Sequence, residues 1–94
     1  MNNQCTLTIT RKTSIWGVAV KLEVIIDNYQ YKLGNGDSFT YQMLPGHHVI
    51  TYKFWSRKPK TIEIDMIAGN SYSVILKPDL ALGGFKLDPS SKLQ

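Results

Sequence analysis

One cysteine, Cys5, stands in a chain of 94 residues, so no internal disulfide can form and the cross-linked framework of many small secreted domains is excluded. Nothing within three positions of Cys5 is a histidine, a second cysteine or a basic residue. We therefore read it as a small apolar side chain at the first strand rather than as an activated thiol. Long apolar runs are missing too. Ile15 to Val20 and Val24 to Ile26 are the longest, far short of the roughly 20 residues that span a bilayer, which predicts a soluble chain without membrane insertion. Met1 to Thr6 carries no positive stretch followed by an apolar one, which disfavours export by the usual route and makes the cytoplasm the expected location. No apolar period of helical spacing persists beyond two turns, although Asp79 to Leu82 has room for one helical turn.

Catalytic and metal-binding spacings are equally scarce. His47 and His48 are adjacent, and on an extended strand adjacent side chains point to opposite faces, so they cannot share one metal ion. Gly34-Asn35-Gly36-Asp37 lacks the lysine and helix that make a phosphate loop. No motif places an acid beside either histidine, and Cys5 lies some forty residues from them. Glu63 and Asp65 share a strand face, where solvation beside lysines of a neighbouring strand accounts for them. No cofactor, metal site or catalytic residue is expected, and the reading is of a protein that is not an enzyme.

What the chain has instead is short alternating segments cut by turn signals. Thr6-Leu7-Thr8-Ile9-Thr10 alternates cleanly, with Leu7 and Ile9 facing a core. A polar turn is expected from Arg11 to Ser14, and then Val18, Val20, Leu22, Val24 and Ile26 share one parity. Asp27-Asn28 supplies turn residues that tolerate left-handed backbone angles, and Tyr29 to Leu33 reads as the returning hairpin strand. Gly34 to Asp37 turns the chain into Ser38 to Met43. Leu44-Pro45-Gly46 has the signature of a type II turn that brings His48, Ile50, Tyr52 and Phe54 onto one face. Ile62, Ile64 and Met66 form the next inward row, Ala68 to Ser71 turns into Tyr72 to Lys77, and Phe85 to Leu87 is a short edge strand.

Seven to eight short strands with turns every eight to twelve residues predict an all-β fold, a small antiparallel β-sandwich, with an open barrel as the alternative. A chain of this size buries roughly 60 to 68% of its extended surface, and a hydrophobic fraction of 43% suffices for one two-layer core. One domain is expected over residues 1–88, followed by a frayed C-terminal tail over 89–94.

Four of these elements together resemble the PEGA-type and related small β-sandwich modules of bacterial proteins: Val24 to Asn28, a strand ending in Ile-Asp; the glycine turn Leu33 to Asp37; the Leu-Pro-Gly-x-His hairpin Leu44 to His48; and the Gly-x-x-Tyr strand start Gly69 to Tyr72. The likeness covers about half of the chain and consists of turn and core residues. Asn28 stands where that pattern usually has glycine, and the sequence shows no leader or anchor for the envelope setting that the resemblance implies.

The most suggestive functional feature is Lys53-Phe54-Trp55-Ser56-Arg57-Lys58-Pro59-Lys60, with Arg11, Lys12 and Trp16 as candidates to join it. Cations neutralise phosphate and exposed rings stack bases, so this combination fits single-stranded nucleic acid, and a net charge of +4 is compatible with it. The charged fraction is only 19%, however, and the basic residues are dispersed outside that loop. Tryptophan and arginine are equally favoured at protein interfaces. The reading is thus a binding or structural module of a bacterial or phage protein, with Trp16, Trp55, Arg57, Lys58 and Lys60 as binding residues and a protein partner, or self-association through an edge strand, as the interaction. A nucleic-acid-binding barrel is the first alternative and a carbohydrate-binding module the second.

Overall fold

The computed structural model describes residues 4–13, 20–54, 58–79, 81 and 83–94. Eight strands run in chain order: β1 (Cys5–Arg11), β2 (Leu22–Ile26), β3 (Tyr29–Leu33), β4 (Ser38–Met43), β5 (Gly46–Phe54), β6 (Lys60–Met66), β7 (Ser71–Pro78) and β8 (Phe85–Leu87). They form two four-stranded sheets, one ordered β4-β1-β7-β8 and the other β3-β2-β5-β6. The fold is a β-sandwich; the two sheets do not join into a barrel.

The inward rows are those of the alternating pattern. Leu7 and Ile9 of β1 meet Val74 and Leu76 of β7 in one sheet, while Leu22, Val24 and Ile26 of β2, Ile50 of β5 and Ile64 of β6 line the other, all buried in one core. Each such aliphatic side chain contributes about 1.5–3 kcal/mol by leaving water. Cys5 belongs to this core, fully buried, with its thiol donating to the Ile67 carbonyl at 3.0 Å.

Four features differ from the sequence expectation. β1 and β7 pair in parallel, Thr6 opposite Ser71 through Arg11 opposite Leu76. The two strands are far apart in sequence, and the chain passes through the other sheet between them, which is the long crossover that parallel neighbours require. β1 extends to Arg11, which is not part of a polar turn but fully buried. Its guanidinium lies 4.9 Å from the ring centre of Phe85 and 5.3 Å from that of Phe54, and donates to the carbonyls of Val20 (2.7 Å) and Leu33 (2.9 Å). β2 begins at Leu22, so Val20 and Lys21 precede it, and Val18 lies outside the described residues. Finally, the segment 89–94, expected as a tail, lies along the edge of β7. Lys92 bridges to Ser73 through two main-chain bonds of 2.8 Å, and Leu93 packs against the core.

Leu80 and Leu82 of the expected helical turn also lie outside the described residues. The Gly83 amide donates to the Asp79 carbonyl at 2.8 Å, an i to i+4 bond.

Candidate functional site

β3 and β4 are the outermost strands of their sheets on the same flank of the sandwich, where the Tyr31 and Tyr41 rings meet at 4.6 Å. Between these strands, toward the end that carries the Asp27-Asn28 turn, opens a cleft of about 250 Å³ lined by Asp27, Tyr29, Tyr31, Tyr41, Leu44 and His48, among others.

The local chain builds it in three steps. Ile26 pairs with Tyr29 across a two-residue loop, and Asp27 takes the left-handed backbone with φ 57° that such hairpins favour. Two residues on, Tyr31 shares the inward face of β3 with Tyr29, because side chains alternate along a strand. From the other sheet, the chain leaves β4 at Met43 and crosses back to the sheet of β3 at Gly46, the first residue of β5, whose φ of 125° needs a glycine.

His48 ties these pieces together. Its Nε2 faces the Leu44 carbonyl at 2.6 Å, across the Pro45-Gly46 turn, and its Nδ1 faces the Asp27 carboxylate at 3.0 Å. A carbonyl and a carboxylate both accept, so the geometry suits the protonated ring, with both nitrogens donating. Burial works against that charge, but the Leu44 carbonyl and Asp27 outweigh it and the pKa is raised. In this arrangement neither nitrogen is free to take a proton, and the dyad braces two turns. Burial, reinforced by Tyr31, pushes the Tyr41 phenol up to about 12. It therefore stays an O–H donor at any ordinary pH.

Tyr29 and Leu44 are 70% and 68% exposed at the cleft mouth, and Phe39 of β4, its ring 6.3 Å from that of Tyr41, is exposed farther along the strand. No lysine or arginine lines this cleft.

His47, on the opposite face as expected, sits outside between Asp65 (Nδ1 at 2.6 Å) and Glu63 (Nε2 at 3.0 Å). These acids, expected beside lysines, instead hold a histidine, and the hydrogen bond to Asp65 is the largest cause of its raised pKa. Both histidines thus have acidic partners that no motif announced. Among the described residues no group of three histidine, cysteine or acidic side chains could hold a metal ion, and no helix is long and apolar enough to cross a membrane.

Of the residues singled out in the sequence, Trp16, Trp55 and Arg57 lie outside the described residues. Lys58 is exposed, and Lys60 opens β6 with its ammonium donating to the Phe85 carbonyl at 3.0 Å, across the flank opposite the tyrosine cleft. Arg11 cannot join a surface cluster, being inside the core, and Lys12 is exposed but paired with Asp88 at 2.7 Å. The tyrosine cleft was missed. Its signal was the Tyr29-x-Tyr31 spacing at a hairpin, with a third tyrosine on the strand after the next turn.

The fold and the cleft define a small β-sandwich domain with an aromatic recess on one flank, in which His48 pairs with Asp27 and no lysine or arginine stands. Comparison with protein-family models and with curated proteins found no match.

Proposed function

We propose that this chain is a non-catalytic binding module for a protein partner, and that it reads an extended segment of that partner in the tyrosine cleft between β3 and β4. The single observation that carries the reading is the cleft's position between two edge strands, with Tyr29, Tyr31 and Tyr41 at its wall and Leu44 at its mouth. An edge strand offers main-chain donors and acceptors to an added strand, and pockets beside it select alternate side chains. Tyrosine is favoured at interface hot spots because it combines a large ring with a polar tip. No lysine or arginine lines the recess to meet a phosphate backbone, and the His48 ring there is already engaged by Asp27 and the Leu44 carbonyl, which favours a peptide over a nucleic acid there. The PEGA-type resemblance, the bacterial or phage setting and a cytoplasmic location belong to the same proposal; the engaged nitrogens of His48 favour the non-catalytic part of it.

The test is selection from a random-peptide phage library against the immobilised chain, followed by calorimetry with the synthetic peptides. Oligo-dT and a set of oligosaccharides are titrated in parallel. Selected peptides are expected to bind the wild type and to lose tenfold or more in affinity to Tyr29→Ser and to Leu44→Ser, both exposed positions that leave the fold intact. Binding that ignores both substitutions, or that is confined to oligosaccharide or oligo-dT, would overturn the reading.

A further inference from the structure

On the flank opposite the tyrosine cleft, β7 is eight residues long but β8 pairs with it only at Leu76, Lys77 and Pro78. The rest of that edge is occupied by a bulged continuation of the chain. Asp88 still donates its amide to the Ile75 carbonyl at 2.7 Å, but its own carbonyl accepts the Ser91 amide at 3.0 Å. The Ile75 amide is left to donate to the Ser91 hydroxyl at 2.9 Å, a side chain standing where a regular ladder would supply a carbonyl. Regular pairing resumes at one position, Lys92 opposite Ser73, with two bonds of 2.8 Å. Leu93 then packs against the core. The strap stands between two clefts, about 440 Å³ on the side of Leu87 to Gln94 and about 370 Å³ on the side of β6 and Tyr72.

We propose that the edge of β7 from Ser71 to Ile75 is a strand-acceptor site, that residues 89–94 occupy it in cis, and that the same segment of a second copy of this chain replaces them by reciprocal exchange. The seated occupant identifies the partner. The seated segment meets the Ile75 amide with the Ser91 hydroxyl and lays Leu93 against the core, and a second copy carries both in register. The bonds from the strap to the edge, Lys92 to Ser73 and Ser91 to Ile75, are remade in the exchanged pair, and the turn bond from the Ser91 amide to the Asp88 carbonyl is the contact given up. Asp88 stays anchored by Lys12 at 2.7 Å and holds the Ser90 amide and hydroxyl at 2.9 and 2.8 Å, which places the hinge after Ser90, at Ser91. The cis strap competes at an effective concentration in the millimolar range, so exchange becomes visible only when the strap is weakened or the chain is concentrated.

The experiment uses the full chain, labelled for amide NMR, in three forms: wild type, Leu93→Ser, and Ser73→Cys with Lys92→Cys. The paired residues Ser73 and Lys92 exchange both main-chain bonds, a geometry whose Cα separation of about 5.5 Å suits a disulfide. The probe is a synthetic peptide with the sequence of residues 88–94. Expected are peptide-induced shifts at the Ser73 and Ile75 amides, with at least fivefold tighter binding to Leu93→Ser than to the wild type. The oxidised double-cysteine form should show no binding, and reduction should restore it. Sedimentation of the wild type toward millimolar concentration is expected to show dimer that the oxidised form lacks. No shift at Ser73 and Ile75 in Leu93→Ser, or shifts and dimer that persist in the oxidised form, would overturn the proposal. Neither outcome bears on the tyrosine cleft, which lies on the other flank.

Discussion

The Tyr72 hydroxyl accepts the main-chain N–H of Ile67 at 2.7 Å, five residues back across the turn that Gly69 makes with φ 83°. Tyr72 is itself buried, so the bond fixes the turn to the core rather than to the surface. Its partner group is not spare: the Ile67 carbonyl accepts the Cys5 thiol, so both main-chain groups of this exposed residue are held from inside. Tyr72→Phe keeps the ring and removes only the acceptor. The loss of one partly buried hydrogen bond is expected to destabilise the chain by about 1–2 kcal/mol. Urea unfolding with an unchanged slope and a lower midpoint is the check.

Arg11 leads to a larger effect. Its planar cation lies over Phe54 and Phe85 and satisfies the carbonyls of Val20 and Leu33. Burial lowers its pKa, while Asp37 partly restores it. Arg11→Ala removes packing between two rings and strips both carbonyls of this donor, an expected loss of about 3 kcal/mol or more. Arg11→Lys is expected to rescue only a minor part, because an ammonium is a strongly hydrated point charge without the flat fork that stacks and bridges. Thermal unfolding of the two variants side by side measures the difference.

These two residues also mark where the sequence was legible. Strand periodicity and turn chemistry are local, so the inward rows Leu22-Val24-Ile26 and Ile62-Ile64-Met66 and the Asp27-Asn28 hairpin were all readable from neighbours in the chain, whereas Leu44-Pro45-Gly46, expected as a hairpin turn, carries the chain from β4 of one sheet to β5 of the other. So was the face shared by His48, Ile50 and Tyr52. Arg11 was not, since a buried cation is justified only by rings and carbonyls that are distant in sequence. The same holds for the acids beside His47 and His48, which register brings across from β6 and from the far hairpin. The parallel pairing of β1 with β7 is a tertiary fact of the same kind. The bulge that holds Ser91 against Ile75 depends on a hydroxyl replacing a carbonyl, for which no local pattern exists. The tyrosine cleft needed two sheet edges to be brought to one flank, which alternation within a strand does not specify.

Gly46 isolates a purely conformational contribution. Its φ of 125° lies where side chains are strained, yet a Cβ added there would meet nothing within 4 Å. Gly46→Ala therefore tests backbone strain without a clash. Strain of about 1–3 kcal/mol, offset by about 0.4–1 kcal/mol from a stiffer unfolded chain, leaves an expected net destabilisation of about 1–2 kcal/mol. Chemical denaturation of this single variant measures it, and stability equal to the wild type would mean that the turn readjusts.

His48 makes stability depend on pH in a direction that can be worked out. Its folded-state pKa is raised above the ordinary histidine value of 6.5, so the protonated ring is the one the fold prefers. The stabilisation is complete below that ordinary value and is lost as pH rises through the higher folded value, when the ring can no longer donate to both Leu44 and Asp27. The groups that set this balance are Asp27, the Leu44 carbonyl and the neighbouring His47, which opposes the charge. His47 has a raised pKa of its own, held by Asp65 and Glu63, so the measurement belongs in a His47→Gln background. In that background, unfolding free energy is expected to fall from pH 6 toward pH 8, and His48→Gln should flatten the fall. Asp27→Asn keeps a residue that tolerates φ near 57° and removes the charge, so it should lower the His48 titration midpoint followed by NMR. A midpoint that ignores Asp27 would mean that the carbonyl of Leu44 alone holds the ring.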